Sequence, residues 1–399
     1  MARLRAAAPA AESVAEVVGD PCYDRILASV HDRAHYRDAF RTGNRTLVYV
    51  SSTWFRNALL GSWPDLLRRL MAELPVDSYQ VALALHPNIW HGHGPWQVRS
   101  WLADCVRAGM IILPEIDGWR TGLIAADIVI GDHGSVTGYG AALGRPTLLA
   151  TFADEDIDPR SPLADLAESA TRLDRARRLR PQIETALREH DPRRLERLRA
   201  SITSVPGQAL DRLRTVFYRL LDLDPPPGEP PLAPLPAWAP AKAAPLALQV
   251  SSTVDRRTRS IRLTRRPAVD LWDPEPATEG TPHLLCPVDH PQRTLPTEAA
   301  VVTTESSDDA HPANGWTRAT LRRHPGAVIA AILSRHAAIA EFRDGSVWHA
   351  SAPGAPADAL PSVLCAWHLA GLPLTELEDA CTVQLGETTY DVAVRLSTP

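Results

Sequence analysis

The chain has 399 residues, which is enough for two domains of ordinary size. Hydrophobic residues make up 45% of it and charged residues 22%, a composition that is typical of a globular protein and excludes an intrinsically disordered one. The formal net charge of -5 argues against a general nucleic-acid-binding protein, so we expect no nucleic-acid partner.

The five cysteines are scattered along the chain, and no two of them form a C-x-x-C pair. This excludes a compact zinc knuckle and a disulfide scaffold, and it is typical of a reducing compartment. The N-terminal stretch is rich in alanine but is broken by Pro9 and Glu12, which makes a poor signal peptide. Because no long apolar run follows either, we expect a cytoplasmic protein.

After a lead-in of helix and loop over residues 1–45, strand-like and helix-like runs alternate. Buried strands are predicted at 46–50, 79–85, 110–113, 126–130 and 147–150, and helices at 63–74, 96–109, 119–125 and 135–143. This alternation favours a parallel sheet with helices on both faces. The first domain, 46–222, is therefore predicted to be α/β, with a Rossmann-like sheet.

Residues 171–221 are predicted to form a helical extension of this domain. Thirteen arginines lie between Arg172 and Arg219, against six acidic residues. One interpretation is a basic face that contacts an anionic lipid or a polyphosphate acceptor, which would place the protein at the inner face of a membrane. The other is an ordinary solvated helical surface.

A proline-rich segment follows, with nine prolines in the twenty-one residues 225–245. This composition excludes helix and central strand and favours an extended, exposed spacer. We place the linker at 223–246 and a smaller α+β domain at 247–399. The sequence predicts strands over 244–253 and 259–266, helical stretches over 318–342, and edge strands at 347–350 and 390–396. No motif with a recognisable mechanism occurs there.

Polar side chains follow the predicted strands of the first domain. Because ligands of parallel sheets bind beyond the carboxyl ends of the strands, these side chains are expected to meet at one edge. They are Ser52, Thr53 and Arg56 after the first strand, His86 and Asn88 after the second, Glu115 after the third, and Asp132, His133, Gly134, Ser135 and Thr137 after the fourth.

The segment GDHGS, residues 131–135, predicts a phosphate site. A helix that opens near Ser135 presents backbone N–H groups without partners, and Gly134 leaves room for a close approach. Arg56 can bind phosphate oxygens through two N–H groups. His86 and His133 are the candidate catalytic residues, because a protonated imidazole can neutralise or protonate a leaving phosphate.

Other side chains have less specific interpretations. His91 and His93 could ligate a metal, but two imidazoles in the glycine-containing stretch HGHG favour a polar loop, so no metal site is predicted. Trp54, Trp90 and Trp119 are candidates either for stacking on a base or a sugar or for ordinary packing.

The motifs VSSTWFR (50–56), ALHPN (84–88) and ADIVIGDHGSVTGYGAALGRP (126–146) resemble those in the nucleotide-binding half of GT-B enzymes. They are most similar to the CDP-glycerol glycerophosphotransferases of teichoic-acid synthesis, and more distantly to sugar-nucleotide 2-epimerases. The resemblance covers roughly residues 19–150. It implies half of a GT-B fold, a CDP- or UDP-linked donor as substrate, and no separate cofactor.

By the same resemblance, Thr53, Arg56, His86, Ser135 and the backbone of Gly134 hold the phosphates of the nucleotide. The implied activity is transfer of a glycerophosphate or glycosyl group to a cell-envelope acceptor. An epimerase-like protein and a non-catalytic interaction protein are the alternatives.

The chain departs from the family's pattern at two places. Tyr139 stands where GT-B enzymes usually carry an acid that binds ribose. Only 45 residues precede the first predicted strand, whereas GT-B enzymes have a preceding domain with the acceptor site. Three explanations are open: the sequence is a fragment of a longer chain, a partner chain supplies that domain, or catalysis has been lost.

Overall fold

The computed structural model describes residues 2–240, 245–269, 280–305 and 313–397. The chain divides into two compact units, one comprising Met1–Leu67, Gln80–Ala103 and Met110–Lys242 and the other Arg68–Tyr79, Asp104–Gly109 and Ala243–Pro399. The predicted class, α/β with a smaller second domain, is confirmed. Among the described residues, no helix has both the length and the apolar character that crossing a bilayer requires.

The first unit is built on a six-stranded parallel sheet. Its strands are β1 (Thr46–Ser52), β2 (Tyr79–Leu85), β3 (Ile111–Ile112), β4 (Ile128–Gly131), β5 (Thr147–Leu149) and β6 (Thr171–Arg172). Their order is β3-β2-β1-β4-β5-β6, with Tyr49 of β1 opposite Val129 of β4. The strand order reverses between β1 and β4, and open α/β sheets bind ligands at such a reversal.

The strands form where the sequence has continuous apolar runs. In β1 every residue after Thr46 is buried, and β2 is buried along its whole length. Strands covered on both faces need no polar alternation, which is why the runs TLVYV and YQVALAL read as strands.

The helices that alternate with these strands in the chain lie between Ala2 and Leu221, and two of them fall mainly in the segments Arg68–Tyr79 and Asp104–Gly109 of the second unit. They are α1 (Ala2–Ala7), α2 (Pro21–Ser29), α3 (Arg33–Ala39), α4 (Leu59–Ser62), α5 (Leu66–Glu73), α6 (Pro87–His93), α7 (Pro95–Trp101), α8 (Ala103–Arg107), α9 (Trp119–Ala125), α10 (Ser135–Ala142), α11 (Pro162–Ser169), α12 (Leu179–Arg188), α13 (Glu196–Ile202) and α14 (Ala209–Leu221).

Two local predictions were wrong. The helix predicted over 96–109 is interrupted at Leu102, whose backbone (φ -97°, ψ 1°) leaves the helical region between α7 and α8. The stretch HGHG, predicted to be a loop, lies mostly in α6. That helix begins at Pro87, a residue well suited to a first helical position, and ends at Gly94, whose φ of 83° stops it.

α10 packs closely on β4 because glycines stand at the contacts. A Cβ on Gly131 would lie 2.1 Å from the hydroxyl oxygen of Thr137, and one on Gly140 would lie 2.8 Å from a methyl carbon of Val129. Side chains at these two positions would push the helix away from the sheet. The close packing therefore fixes where the first turn of α10 lies.

Many arginines of the helical extension have acidic partners. Arg172 pairs with Asp154, Arg180 with Glu184, Arg188 with Glu189, Arg197 with Asp165, and Arg219 with Glu16. Exposed pairs of this kind contribute little to stability. They match the interpretation of residues 171–221 as a solvated, ion-paired surface.

The proline-rich segment forms neither helix nor strand over residues 225–240, as predicted, but it is not a free spacer. Leu235 is 5% exposed, its N–H donates to the Ser29 hydroxyl, and its carbonyl accepts from the Tyr36 hydroxyl. Trp238 packs edge-on against Phe40, with ring centroids 5.7 Å apart. Residues 225–240 therefore lie against the first unit through these contacts, and residues 241–244 of the predicted linker lie outside the described residues.

This packing predicts where a protease cuts first. We expect limited proteolysis to cleave within 222–233, where nearly every residue is exposed, and to spare the bonds around Leu235 and Trp238. Mass spectrometry of the first fragments measures this. Leu235→Ala should extend early cleavage into 234–240, and equal early cleavage on both sides of Leu235 in the unaltered protein would contradict the packing.

The second unit is a closed, mixed sheet around one helix. Its strands are β7 (Leu248–Asp255), β8 (Ser260–Pro267), β9 (Thr281–Pro287), β10 (Val301–Glu305), β11 (Ile329–Leu333), β12 (Ala337–Phe342), β13 (Val347–Ser351), β14 (Cys381–Leu385) and β15 (Thr388–Leu396). They close in the order β10-β11-β12-β13-β15-β14-β8-β7-β9. Three pairings are parallel, β9 with β10, β10 with β11, and β8 with β14.

Three helices complete this unit, α15 (Thr294–Glu298), α16 (Ala313–Arg323) and α17 (Ala359–Leu369). α17 is apolar on all sides, every residue from Ala359 to Trp367 is buried, and it packs against strands β7 to β13. A helix without a polar face is stable only when it is surrounded. α17 therefore forms the centre of the core of the second unit.

Two predictions for this domain were wrong. The run 318–342 is helical only to Arg323, and its remainder forms the antiparallel strands β11 and β12, with Ile329 opposite Phe342. β11 packs against both α16 and α17, and a short apolar run buried on two faces cannot be told from a helix by its pattern. β13 and β15 are not edge strands, because the sheet closes.

Candidate functional site

The loops after β1, β2 and β4 meet at the carboxyl edge of the first sheet, which we call the rim. Asp132 joins two of them. One carboxylate oxygen accepts the N–H groups of Thr53 (2.8 Å) and Leu59 (2.9 Å), and the other accepts the N–H of Gly134 (2.9 Å). The loop after β1 is thereby tied to the start of α10.

Asp132 is a buried residue with a structural role. The residue is 0% exposed. Burial raises the pKa of its carboxyl group, whereas the three backbone N–H donors and the nearby His133 lower it. Because its oxygens are occupied by backbone groups, Asp132 positions the rim.

The first turn of α10 opens at the rim. Gly138 is the first residue of this helix whose N–H bonds to a carbonyl one turn back, that of Gly134. The N–H groups from Ser135 to Thr137 have no such intrahelical acceptor, and they carry partial positive charge. Ser135 is exposed beside them.

Gly134 lets the loop after β1 pack closely at the start of α10. A Cβ at this position would lie 3.0 Å from an Asp132 carboxylate oxygen and 3.1 Å from the Cβ of Thr53. A larger residue would therefore displace the loop after β1. The arrangement suits an anion that approaches the backbone closely.

His86 lies at the end of β2 and caps α6. Its Nδ1 accepts the N–H of Asn88 (3.1 Å), and its own backbone N–H donates to the carbonyl of Ser52 (3.0 Å). Partial burial lowers the pKa of His86, a change that Asp132 opposes. In the neutral ring the proton therefore sits on Nε2, so His86 can donate a hydrogen bond from that atom.

The residues after β1 separate into buried and exposed groups. Ser52 is buried, and its hydroxyl donates to the Thr53 carbonyl (2.9 Å) and accepts from the Leu60 N–H (3.3 Å). Thr53 is half-buried at the rim, and Arg56 is exposed. Within the described residues, the Arg56 guanidinium makes no ion pair, so it is free to meet an anion.

Two predicted residues of the β4 segment are partly or wholly packed into the fold. Thr137 is completely buried, and its hydroxyl points towards Gly131 in the sheet. His133 is half-buried with its ring edge against Phe152, at a centroid distance of 6.0 Å. Its Nδ1 is buried without a hydrogen-bond partner among the described residues.

The remaining predicted residues lie on the β2 and β3 side of the rim. Asn88 is exposed in α6. Glu115 follows β3, and its carboxylate oxygen lies 3.6 Å from Nε2 of His91, which is in α6 like Asn88. No group of three or more metal-ligating side chains occurs in the part of the chain that the structure describes.

Tyr139 occupies an aromatic stack that the sequence analysis missed. Its ring lies on Tyr23 at 5.7 Å and on Trp119 at 6.4 Å, and its hydroxyl donates to Asp20 (2.6 Å). Asp20 also caps α2 by accepting the N–H groups of Cys22 and Tyr23. Asp20 and Tyr139 are 119 residues apart in the chain. No local sequence pattern therefore indicates this pairing.

Comparison with solved structures gives matches of low similarity. The wall teichoic acid polymerase TagF matches at 16% identity and a TM-score of 0.37, over 51% of each chain. The UDP-GlcNAc 2-epimerase of Neisseria meningitidis matches at 14% identity and a TM-score of 0.31, over 52% of this chain and 54% of that one. The C-terminal CMP-Kdo-binding domain of WaaA from Acinetobacter baumannii matches at 14% identity and a TM-score of 0.29, over 47% of this chain and 99% of that one.

A teichoic acid polymerase and UDP-GlcNAc 2-epimerases, the kinds of protein that the motifs resemble, are among the matched structures. This chain spans about half the length of the polymerase and of the epimerase. No family model and no curated protein matches it. At these levels of similarity, the chemistry of the rim has to be argued from its own geometry.

Proposed function

We propose that the rim binds the diphosphate of a CDP- or UDP-activated donor. The observation that carries this proposal is the first turn of α10, which begins after Gly134 with an exposed Ser135, at the reversal of strand order between β1 and β4. Ser135 and Arg56 are both exposed, and in this proposal their hydroxyl and guanidinium supply further donors to the anion. The partial positive charge of the helix end and these donors favour an anion there, and the nearby Asp132 carboxylate is already occupied by three backbone N–H groups.

The activity that this site supports best is transfer of a glycerophosphate or glycosyl group from such a donor. A hydroxyl of the acceptor attacks, the bond to the leaving phosphate breaks, and negative charge develops on the departing nucleotide. The N-terminus of α10 and Arg56 stabilise that charge electrostatically. His86 donates from Nε2, because its Nδ1 already accepts the Asn88 N–H.

The acceptor side of the reaction requires groups that the rim does not supply. We propose that a further domain or a partner chain brings the acceptor and the general base, as the resemblance to GT-B transferases implies. A cell-envelope acceptor would place the reaction at the inner face of a membrane. The end of α14 exposes Phe217, Leu220 and Leu221 and suits a peripheral contact there.

Ser135→Asp tests the phosphate site. The substitution places a carboxylate where the phosphate has to bind, while the N-terminus of α10 accommodates that carboxylate and the fold is kept. We expect pyrophosphate binding, measured by calorimetry on the full chain, to be lost. Ser135→Ala removes one donor and should weaken binding by about 1–2 kcal/mol.

Gln208→Asp is the matched control, because it places the same charge at the exposed start of α14. It should leave pyrophosphate binding unchanged. If Ser135→Asp binds pyrophosphate as the unaltered protein does, or if the unaltered protein binds neither pyrophosphate nor CDP, the rim is structural. The non-catalytic interaction protein is then the better interpretation.

A further inference from the structure

An aromatic cavity lies beside the phosphate site, on the β2 side of the loop after β1. It has a volume of about 510 Å³. Its lining includes Trp54, Phe55, Asn88, Ile89, His91 and His93. This volume is within the range of pockets that hold small organic ligands.

The aromatic wall of this cavity is held in an unfavourable conformation. Phe55 has a backbone φ of 79°, in the left-handed region that bulky side chains rarely adopt, and its side chain is 70% exposed. The ring lies on Trp54 at a centroid distance of 3.6 Å, and Trp54 in turn lies on His86 at 5.9 Å. Backbone strain that presents an exposed aromatic ring is characteristic of ligand-binding loops.

The cavity and the rim share the loop after β1. Trp54 and Phe55 follow directly on Thr53, the residue whose N–H bonds to Asp132 and whose Cβ limits the space at Gly134. His86 contacts residues of the cavity, because it stacks on Trp54 and its Nδ1 accepts the Asn88 N–H. The cavity is therefore the aromatic surface next to the rim on this loop.

The second turn of α10 is filled by an aromatic stack. Tyr139 stands there, stacked between Tyr23 and Trp119 and hydrogen-bonded to Asp20. A nucleoside attached to the bound phosphates needs another surface.

We propose that the cavity binds the nucleobase of the donor, with the base stacked on the Trp54–Phe55 pair. This inference rests on the proposed function, and it names the surface that recognises the nucleoside. A base offers a flat ring to the aromatic wall, as in other aromatic platforms for bases. The Asn88 amide and the imidazoles of His91 and His93 provide donors and acceptors for the edge of the base.

The test compares CDP with pyrophosphate in calorimetric titrations of the full chain. We expect CDP to bind about 5- to 150-fold more tightly, the effect of one base stacked on an aromatic side chain. Phe55→Ala and Trp54→Ala should reduce CDP affinity towards that of pyrophosphate and leave pyrophosphate affinity unchanged. Phe55→Leu keeps an apolar side chain but removes the ring. Most of the difference in affinity between CDP and pyrophosphate should therefore be lost in this variant as well.

Trp96→Ala is the control, because Trp96 is a strongly exposed tryptophan outside the cavity. Equal affinities of the unaltered protein for CDP and pyrophosphate would overturn the inference and leave the phosphate site in place. A CDP preference that survives in the Phe55 and Trp54 variants would overturn it too, since the base would then bind elsewhere. Binding of neither ligand would overturn the proposed function and this inference together.

Discussion

Asp132→Ala is expected to lower the free energy of unfolding of the first unit by about 3–5 kcal/mol. The carboxylate is buried and accepts three backbone N–H groups, those of Thr53, Leu59 and Gly134. Alanine leaves the N–H of Leu59 buried and those of Thr53 and Gly134 partly buried, all without this acceptor, and a fully buried loss costs about 1–3 kcal/mol. The costs are not fully additive, because the freed loop after β1 can relax towards water.

The measurement is urea denaturation of the full chain, followed by hydrogen exchange of peptides from β1 and β4. Asp154→Ala is the matched control, because this aspartate is exposed and pairs only with Arg172 at the surface among the contacts that the structure describes. Its loss should change stability by less than about 1 kcal/mol. Equal stabilities of the two variants would show that Asp132 does not hold the rim together.

Pyrophosphate binding by a further Asp132 variant distinguishes a structural role of this residue from a direct contact with the ligand. If Asp132 only positions the loops, Asp132→Asn should keep much of the binding, since an amide has the same shape and one acceptor oxygen. It also removes a negative charge that lies close to the phosphate site. A complete loss of binding in a folded Asp132→Asn protein would indicate that the carboxylate itself contributes to the site.

The sequence predicts the first sheet well because its central strands are buried on both faces. β2 has the predicted bounds, and β1 extends only two residues beyond its prediction. Both strands are covered on two faces, so their apolar runs are continuous. β6, at the edge of the sheet, has two exposed residues and leaves no such signal.

In the second unit a continuous apolar run does not distinguish a strand from a helix. The alanine- and isoleucine-rich run after Gly326 is compatible with a buried helix or a buried strand. Only the closed sheet around α17 decides between them, and closure depends on pairings such as β8 with β14 that join distant parts of the chain.

The rim illustrates how far residue types identify a site. The sequence places Asp132, Gly134 and Ser135 at a strand end, and the structure gives them three different environments: buried and bonded, tightly packed, and exposed. Which way a side chain points depends on its neighbours. Thr137 turns inward because Gly131 leaves space beneath it.

His283 is expected to make the second unit sensitive to acid. It lies on β9 at 4% exposure, its Nε2 is 3.0 Å from the buried Ser362 hydroxyl of α17, and its Nδ1 has no hydrogen-bond partner among the described residues. Burial lowers the pKa of His283 from 6.5 to about 4. The unfolded chain therefore binds a proton between these two values that the folded unit excludes.

Since the unfolded state binds more protons in this window, the free energy of unfolding falls as the pH falls. The contribution of His283 is fully present above pH 6.5 and is lost progressively towards pH 4, a difference of about 3 kcal/mol. His283→Gln does not titrate and keeps a partner for Ser362. Between pH 7 and pH 4 it should therefore lose about 3 kcal/mol less stability than the unaltered protein.

Urea denaturation at a series of pH values, followed by hydrogen exchange of peptides from β9 and α17, measures this difference within the second unit. Subtracting the His283→Gln curve from that of the unaltered protein removes the contribution of the carboxylates and of the other histidines, because they are present in both. The remaining curve should be flat above pH 6.5 and fall steadily to pH 4. Parallel curves for the two proteins would mean that His283 is hydrated or protonated in the folded unit, and that β9 and α17 are less tightly packed than their burial indicates.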